Sequence, residues 1–242
     1  MRRPEMLVLD AGSPHMRRLA VRLRRMGYSV LPAKTPDAAE RTLRSRARSV
    51  GAVVIPVDLP AFDLGAALRF LRRLEPTGEL TFVAAGHKPE PEGRALLRDA
   101  GVELALWEPV DDHTLRFQAN RALAESEIVR GERLVLRAPT NWSVSVWAAK
   151  RRKPARIYTL SAAGAFLTTG RPSLPGTPIQ VELPFKSTPM QVEAHVVMTN
   201  VPGSFMKNNL PMGMGVCFEN APANVESALS IWAQRRLENL GF

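Results

Sequence analysis

The chain has 242 residues, room for two ordinary domains, and its 45% hydrophobic and 23% charged side chains exclude wholesale disorder. Basic residues number 33 against 23 acidic, a net charge of +10, and the single cysteine, Cys217, excludes an intramolecular disulfide and a cysteine-rich zinc site. The first apolar run, Met6 to Leu9, stops at Asp10, and no stretch approaches the ~18 apolar residues of a membrane span, so a soluble cytoplasmic protein is expected.

Residues 6 to 123 alternate between strand and helix patterns. Met6–Leu9 reads as a buried strand, and Ser13 followed by Pro14 is a cap-then-proline helix start. Leu19, Val21, Leu23 and Met26 belong to that helix, which Gly27 ends. A second strand is expected at Tyr28–Leu31, and Thr35-Pro36-Asp37 opens a second helix. Gly51–Ile55 is the third strand, and residues 64–74 a third helix with apolar residues at Leu64, Ala67, Leu68 and Leu71. Strands at 80–84 and 104–106, with helices near 91–100 and 111–125, complete the series. Five strands alternating with helices imply a parallel sheet covered on both faces.

The pattern changes after Glu127. Strand-like segments rich in Thr, Val and Ala follow at 142–148, 155–160, 164–168, 177–184, 189–200 and 212–218. Their spacing and turn residues imply a small antiparallel barrel, closed by an amphipathic helix near 225–240. Trp142 and Trp147 lie five apart, on opposite sides of a strand, so at least one of them is expected in the core. Lys150–Lys153 reads as a solvated hairpin tip, and Glu127–Arg133 as a linker. Domains are therefore expected at 1–126 and 127–242. Charge divides unevenly between them: 20 basic against 17 acidic residues through Glu127, and 13 against 6 beyond it. The C-terminal part is the expected seat of an anionic partner.

The N-terminal half resembles the receiver domain of response regulators. Met6-Leu-Val-Leu-Asp-Ala11 sits where receivers carry a strand ending in two acidic residues, Val57–Asp63 at the loop after the third strand, and Glu108-Pro109 at the family's Lys-Pro pair. Phosphoryl transfer to aspartate requires a magnesium cluster, a carboxylate, a hydroxyl and a lysine. At the matching positions this chain has Ala11 for the second acid, Pro56 for the nucleophile, Ala84 for the hydroxyl and Glu108 for the lysine. Asp10 alone matches, and Asp58 lies two residues past the nucleophile position. The resemblance implies a pseudo-receiver, flavodoxin-like (β/α)5 in fold, serving as an interaction or dimerisation module.

In the second half, Arg133-Leu-Val-Leu-Arg137 precedes Thr159-Leu-Ser-Ala-Ala-Gly164, an alternating strand through Val192–Val196, and Gly213–Phe218 before a helix. In this order and spacing they resemble a PilZ domain, the bacterial receptor module for cyclic di-GMP. The resemblance implies a ligand site of Arg133, Arg137, Thr159, Ser161 and Gly164. Each guanine offers adjacent O6 and N7 acceptors and each phosphate an anion, which arginine meets bidentately or by stacking. Ser161 can hydrogen-bond guanine or phosphate, and Gly164 permits a tight turn and close ligand approach. Thr159 stands where the family has Asp or Asn, which removes an acceptor for the guanine donor edge.

The expected protein is a non-enzymatic effector that binds cyclic di-GMP, without catalytic residues, metal or cofactor, and relays the signal by domain reorientation to a downstream protein. The alternatives are a scaffold whose barrel has lost the ligand and a nucleic-acid-binding protein. The latter is disfavoured by two tyrosines and no aromatic–basic interleaving. His15, His87, His113 and His195 are widely separated in sequence and are expected as ordinary turn, surface or strand residues.

Overall fold

The computed structural model describes residues 4–46, 49–59, 64–74, 80–124, 135–149, 151–184, 189–203 and 210–242. The chain forms two compact units, one of Met1–Glu132 with Glu238–Phe242 and one of Arg133–Leu237. The expected linker at 127–133 lies outside the described residues.

In the first unit, five parallel strands, β1 (Glu5–Leu9), β2 (Val30–Ala33), β3 (Val50–Pro56), β4 (Thr81–Gly86) and β5 (Leu104–Trp107), take the order β2-β1-β3-β4-β5. This is the flavodoxin-like doubly wound order. Five helices alternate with them: α1 (Pro14–Arg25), α2 (Pro36–Arg46), α3 (Leu64–Arg73), α4 (Pro91–Asp99) and α5 (Asp112–Ala122). Apart from Glu5 and Thr81 at their first positions, the strands are apolar because both faces are covered. Met6, Val8, Val54 and Val83 pack with Met16, Leu19 and Leu23 of α1 and Leu115 and Ala119 of α5. Their neighbours Leu7, Leu9, Val53 and Phe82 pack with Leu43 of α2, Leu68 of α3 and Leu97 of α4. Period-two alternation thus feeds two separate cores.

Local capping accounts for the helix starts. The Met16 N–H donates to Ser13 Oγ and the Ala38 N–H to Thr35 Oγ1. The second strand begins two residues later than expected. Gly27 adopts φ +90° and the Tyr28 N–H donates to the Leu23 carbonyl, so Tyr28 finishes α1 instead of opening β2. Its hydroxyl donates to Asn120 Oδ1 at 2.8 Å, and the register starts at Met6 opposite Val30.

Asp111 caps α5. Burial raises its carboxyl pKa, but three hydrogen bonds, from the Thr114 hydroxyl and the Thr114 and His113 N–H groups, outweigh that and leave it below the ordinary aspartate value. A carboxylate with a depressed folded-state pKa contributes stability that is present above the unfolded pKa and lost as pH falls through the folded one. Asp111→Asn keeps a capping oxygen. It is expected to stay within about 1 kcal/mol of the wild type at pH 7 and to flatten the loss of stability below the ordinary aspartate range. Urea unfolding of both proteins across that range checks it; equal acid slopes would refute the assignment.

The second unit begins with β6 (Arg137–Pro139), followed by β7 (Ser143–Ala148), β8 (Arg151–Ser161), β9 (Gly164–Thr168), β10 (Pro178–Leu183), β11 (Met190–Asn200) and β12 (Gly213–Phe218). Strands β7-β8-β9-β12-β11-β10 close on themselves, since β8 pairs β9 as well as β7 and β10 pairs β7. All these pairings are antiparallel, giving a six-stranded barrel, with β6 added beside the far end of β8. Val146, Ile157, Leu160, Leu167, Val181, Val192 and Val216 fill its interior. Helix α6 (Ala223–Leu240) adds Val225 and Leu229 to that core. Trp142 packs against it and meets Trp232 of α6 at 4.9 Å, while Trp147 stays outside.

Two expectations change here. Arg151–Lys153 lie in a strand and not in the hairpin turn: they pair with Val146–Ala148 as the first rungs of β8, next to Ala149 at φ +47°. Lys150 lies outside the described residues. Strand β6 was not expected, because Arg-Ala-Pro has no alternation; Pro139 is tolerated at this edge, and its carbonyl accepts from Arg236 Nε. Among the described residues, no helix is long and apolar enough to cross a membrane.

Candidate functional sites

The receiver-like positions gather at the carboxyl ends of the parallel strands, where open α/β sheets place their ligands. Asp10 follows β1, is buried, and accepts the Gly12 N–H at 2.7 Å. Ala11 beside it adopts φ +45° and is exposed. Pro56 is the last residue of β3, opposite Ala85, so the nucleophile position offers no carboxylate. Asp58 lies beyond the strand in an exposed turn, where strand alternation no longer orients it. Ala84 is buried within β4.

Glu108 follows β5, and here the fold joins what the sequence separates. Its carboxylate pairs with His15 Nδ1 from α1 and lies 3.3 Å from His87 Nδ1, from the segment after β4. A side chain that would carry positive charge in the family carries a carboxylate flanked by two imidazoles. Sequence spacing had no signal for this, since the three residues are spread over 94 positions. Among the described residues, no group of three or more His, Cys, Asp or Glu is arranged to hold a metal ion.

Incubation with a small-molecule phosphodonor and magnesium is expected to leave this unit unmodified. Pro56 has no nucleophilic oxygen, and the Glu108 carboxylate repels an incoming phosphoryl group. A stoichiometric acyl-phosphate in intact-mass spectrometry would refute this.

On the barrel, the described members of the expected ligand set converge on neighbouring rungs. Arg137 of β6 is opposite Ser161 of β8, Ser161 is opposite Gly164 of β9, and Gly164 is opposite Cys217 of β12. Thr159 sits between Pro139 and Phe166 two rungs along. Arg133 lies outside the described residues.

Each of these side chains has an environment that bears on ligand contact. Ser161 is 2% exposed, and its hydroxyl donates to the Gly164 carbonyl at 3.0 Å. Thr159 is 4% exposed, and Arg137 is half-buried. Gly164 does not adopt a left-handed φ, so the tight-turn explanation fails. A Cβ there would stand 2.2 Å from the Val216 carbonyl oxygen and 3.2 Å from Cys217 Cα. Close approach of β12, not of a ligand, is what requires glycine.

Sequence reasoning missed an aromatic pair beside these residues. Tyr158 and Phe166 meet edge-on at 6.0 Å. Their neighbours Ile157, Ala165 and Leu167 face the barrel core, so alternation directs this pair outward, yet both rings are buried. The signal was an aromatic residue directly before Thr159 and another two residues after Gly164. An open cleft of about 600 Å³, lined by Ser143, Pro154, Arg156 and Thr168–Gly170, lies at the opposite end of the β8–β9 ladder from Ser161.

No family model matches the sequence, and no curated protein is similar to it. Among solved structures, the inhibitor of motility MotI/DgrA of Bacillus subtilis is similar at 22% identity over 44% of this chain, with a TM-score of 0.35. The match covers 52% of that chain, so the shared part is about half its length. A response regulator from Chloroflexus aurantiacus is similar at 21% identity over 50% of this chain and 99% of that one, TM-score 0.43. The signal receiver domain of an HD domain-containing protein from Pseudomonas fluorescens matches at 27% identity over 51% and 88%, TM-score 0.44. The fold assignment itself rests on the strand order and register described above.

Proposed function

We propose that the chain is a non-enzymatic signalling effector whose barrel binds cyclic di-GMP and whose receiver-like unit is a protein-interaction module. The observation that carries the reading is the placement of Arg137, Ser161 and Gly164 on one rung, with Thr159 beside them. Five N–H donors on the Arg137 guanidinium suit the O6/N7 edge of guanine or a phosphate, and Arg133, four residues earlier, is the second jaw. The excess of basic over acidic residues beyond Glu127 favours the dianionic ligand. Closure of the Arg133–Arg137 segment over the ligand is the step that reorients the domains and changes what a partner protein meets. The replacement of the family's lysine, hydroxyl and nucleophile by Glu108, Ala84 and Pro56 supports an interaction role without phosphoryl chemistry.

A second reading, a barrel that acts as a protein scaffold without the nucleotide, is favoured by the Ser161–Gly164 hydrogen bond and by the packing role of Gly164. Both features are explained without a ligand. Isothermal titration of the full chain with cyclic di-GMP separates the two. Saturable binding in the micromolar range or tighter supports the effector; no heat at ~100 μM ligand, which means binding weaker than about −5 kcal/mol, supports the scaffold.

A further inference from the structure

Five side chains form one rung across the outer wall of the barrel. Arg152 of β8 is opposite Trp147 of β7, Trp147 is opposite Gln180 of β10, and Gln180 is opposite Glu193 of β11. The Glu219 N–H donates to the Glu193 carbonyl at 2.8 Å, which adds Glu219 to the end of the row. Their strand neighbours Val146, Ala148, Ile179, Val181, Val192 and Ala194 all lie in the core. Alternation therefore turns the row outward. Trp147 is half-buried and the other four are exposed; Trp147, Gln180, Glu193 and Glu219 line an open cleft of about 530 Å³.

The row runs from positive to negative. At one end, Arg152 Nε donates to Ser145 Oγ at 2.9 Å and its guanidinium lies 5.7 Å from the Trp147 ring centre. It has no carboxylate partner among the described residues. At the other end stand Glu193 and Glu219. Between 133 and 237 the carboxylate side chains are Glu182, Glu193, Glu219 and Glu226, and two of these four sit on this row. Glu193 makes no ion pair among the described residues, in a chain with a net charge of +10, and Glu219 pairs with His195 at 2.7 Å. Cation, aromatic ring, amide and anion thus follow one another across four adjacent strands.

We propose that this face is a self-complementary interface and that its occupant is a second copy of the same chain. A two-fold axis lying in the contact plane, parallel to the strands and between Trp147 and Gln180, sets Arg152 against Glu193 of the partner subunit, and Glu193 against the partner's Arg152. The geometry closes because Arg152 and Glu193 are three strands apart, each ~7 Å from that axis at the usual strand spacing. The barrel wall curves away from the contact plane. Long side chains at the flanks and a large ring near the centre suit such a surface, and Trp and Arg are the residues that most often dominate interface energetics.

Sedimentation velocity of the full chain without nucleotide tests this, over ~1–100 μM protein. The wild type is expected to show a monomer–dimer equilibrium. Arg152→Glu and Glu193→Arg are each expected to weaken it about tenfold or more, since each sets like charges against one another. The double variant carrying both changes re-forms both pairs with reversed polarity and is expected to recover dimerisation. General charge repulsion makes a different forecast. It has Arg152→Glu, which lowers the net charge, strengthen association and Glu193→Arg weaken it. A wild type that stays monomeric, single variants that leave the dimer unchanged or move it in opposite directions, or a double variant that stays monomeric while its circular dichroism is native would each overturn the proposal. Because no nucleotide is present, none of these outcomes bears on cyclic di-GMP binding.

Discussion

Gly164→Ala is expected to destabilise the barrel by about 3 kcal/mol or more, at the upper end of overpacking costs. The added methyl would stand 2.2 Å from the Val216 carbonyl oxygen, far inside van der Waals contact. The atom it meets is backbone, in the middle of a paired strand, and no side-chain rotation relieves it. The β9–β12 ladder must open, and that ladder is one of the six pairings on which the closed barrel depends. Gly213 at the other end of the same ladder has the same constraint, with a built Cβ 2.0 Å from the Leu167 carbonyl oxygen. Gly176 is the contrast. It has a left-handed φ of +81° but open space around it, so alanine there meets conformational strain alone. Thermal unfolding followed by circular dichroism should rank Gly164→Ala as the more damaging of the two. A Gly164→Ala barrel with wild-type stability would show that β9 and β12 are further apart than described. Loss of ligand binding in this variant would say nothing of the clamp, because the fold itself is the casualty.

Arg137→Ala isolates the ligand question. It removes a guanidinium from a short edge strand and leaves a residue that β6 accommodates without strain. If Arg137 meets guanine or phosphate bidentately, the loss is of paired charge-assisted hydrogen bonds, about 3 kcal/mol or roughly a hundredfold in affinity. Arg137→Lys should recover little of it, since an ammonium cannot reproduce the planar fork. Thr159→Asp supplies the opposite sign, about tenfold tighter binding through a charged acceptor for the guanine N–H donors. Its position at 4% exposure adds a condition: the carboxylate is desolvated in the free barrel, so the unliganded variant should melt lower than wild type while binding more tightly. Calorimetry and thermal unfolding on the same preparations read both effects. Unchanged affinity for Arg137→Ala would place the ligand elsewhere on the protein or remove it from the reading.

Much of the architecture follows from short-range chemistry. The apolar runs at Met6–Leu9, 51–55 and 80–84 announce strands buried on both faces, and Ser13-Pro14 and Thr35-Pro36 announce helix starts, because caps and periodicity are decided within four residues along the chain. The alternation in the second half likewise predicts six of its seven strands and the closing helix. What patterning missed was decided by competing local signals or by partners distant in sequence. Tyr28 fits a strand pattern but seals α1, because Gly27 at φ +90° brings its N–H to the Leu23 carbonyl, and Asn120, ninety-two positions away, accepts from its hydroxyl. Strand β6 exists because Ser161 and its neighbours offer a free edge, not because Arg-Ala-Pro favours extension.

The same division holds for the functional residues. Sequence alone determined that the receiver-like unit lacks a carboxylate at Pro56, a hydroxyl at Ala84 and a lysine at Glu108, because identity at a position is enough to remove chemistry. It also grouped the PilZ-like set by order and spacing. Only the tertiary structure decided that Glu108 meets His15 and His87, that Gly164 is demanded by the Val216 carbonyl, and that Arg152, Trp147, Gln180 and Glu193 stand in one row. Strand register is the physical reason. A shift of one residue in any pairing would turn each side chain to the other face, and that register is chosen by how the whole barrel packs its core, not by any segment on its own.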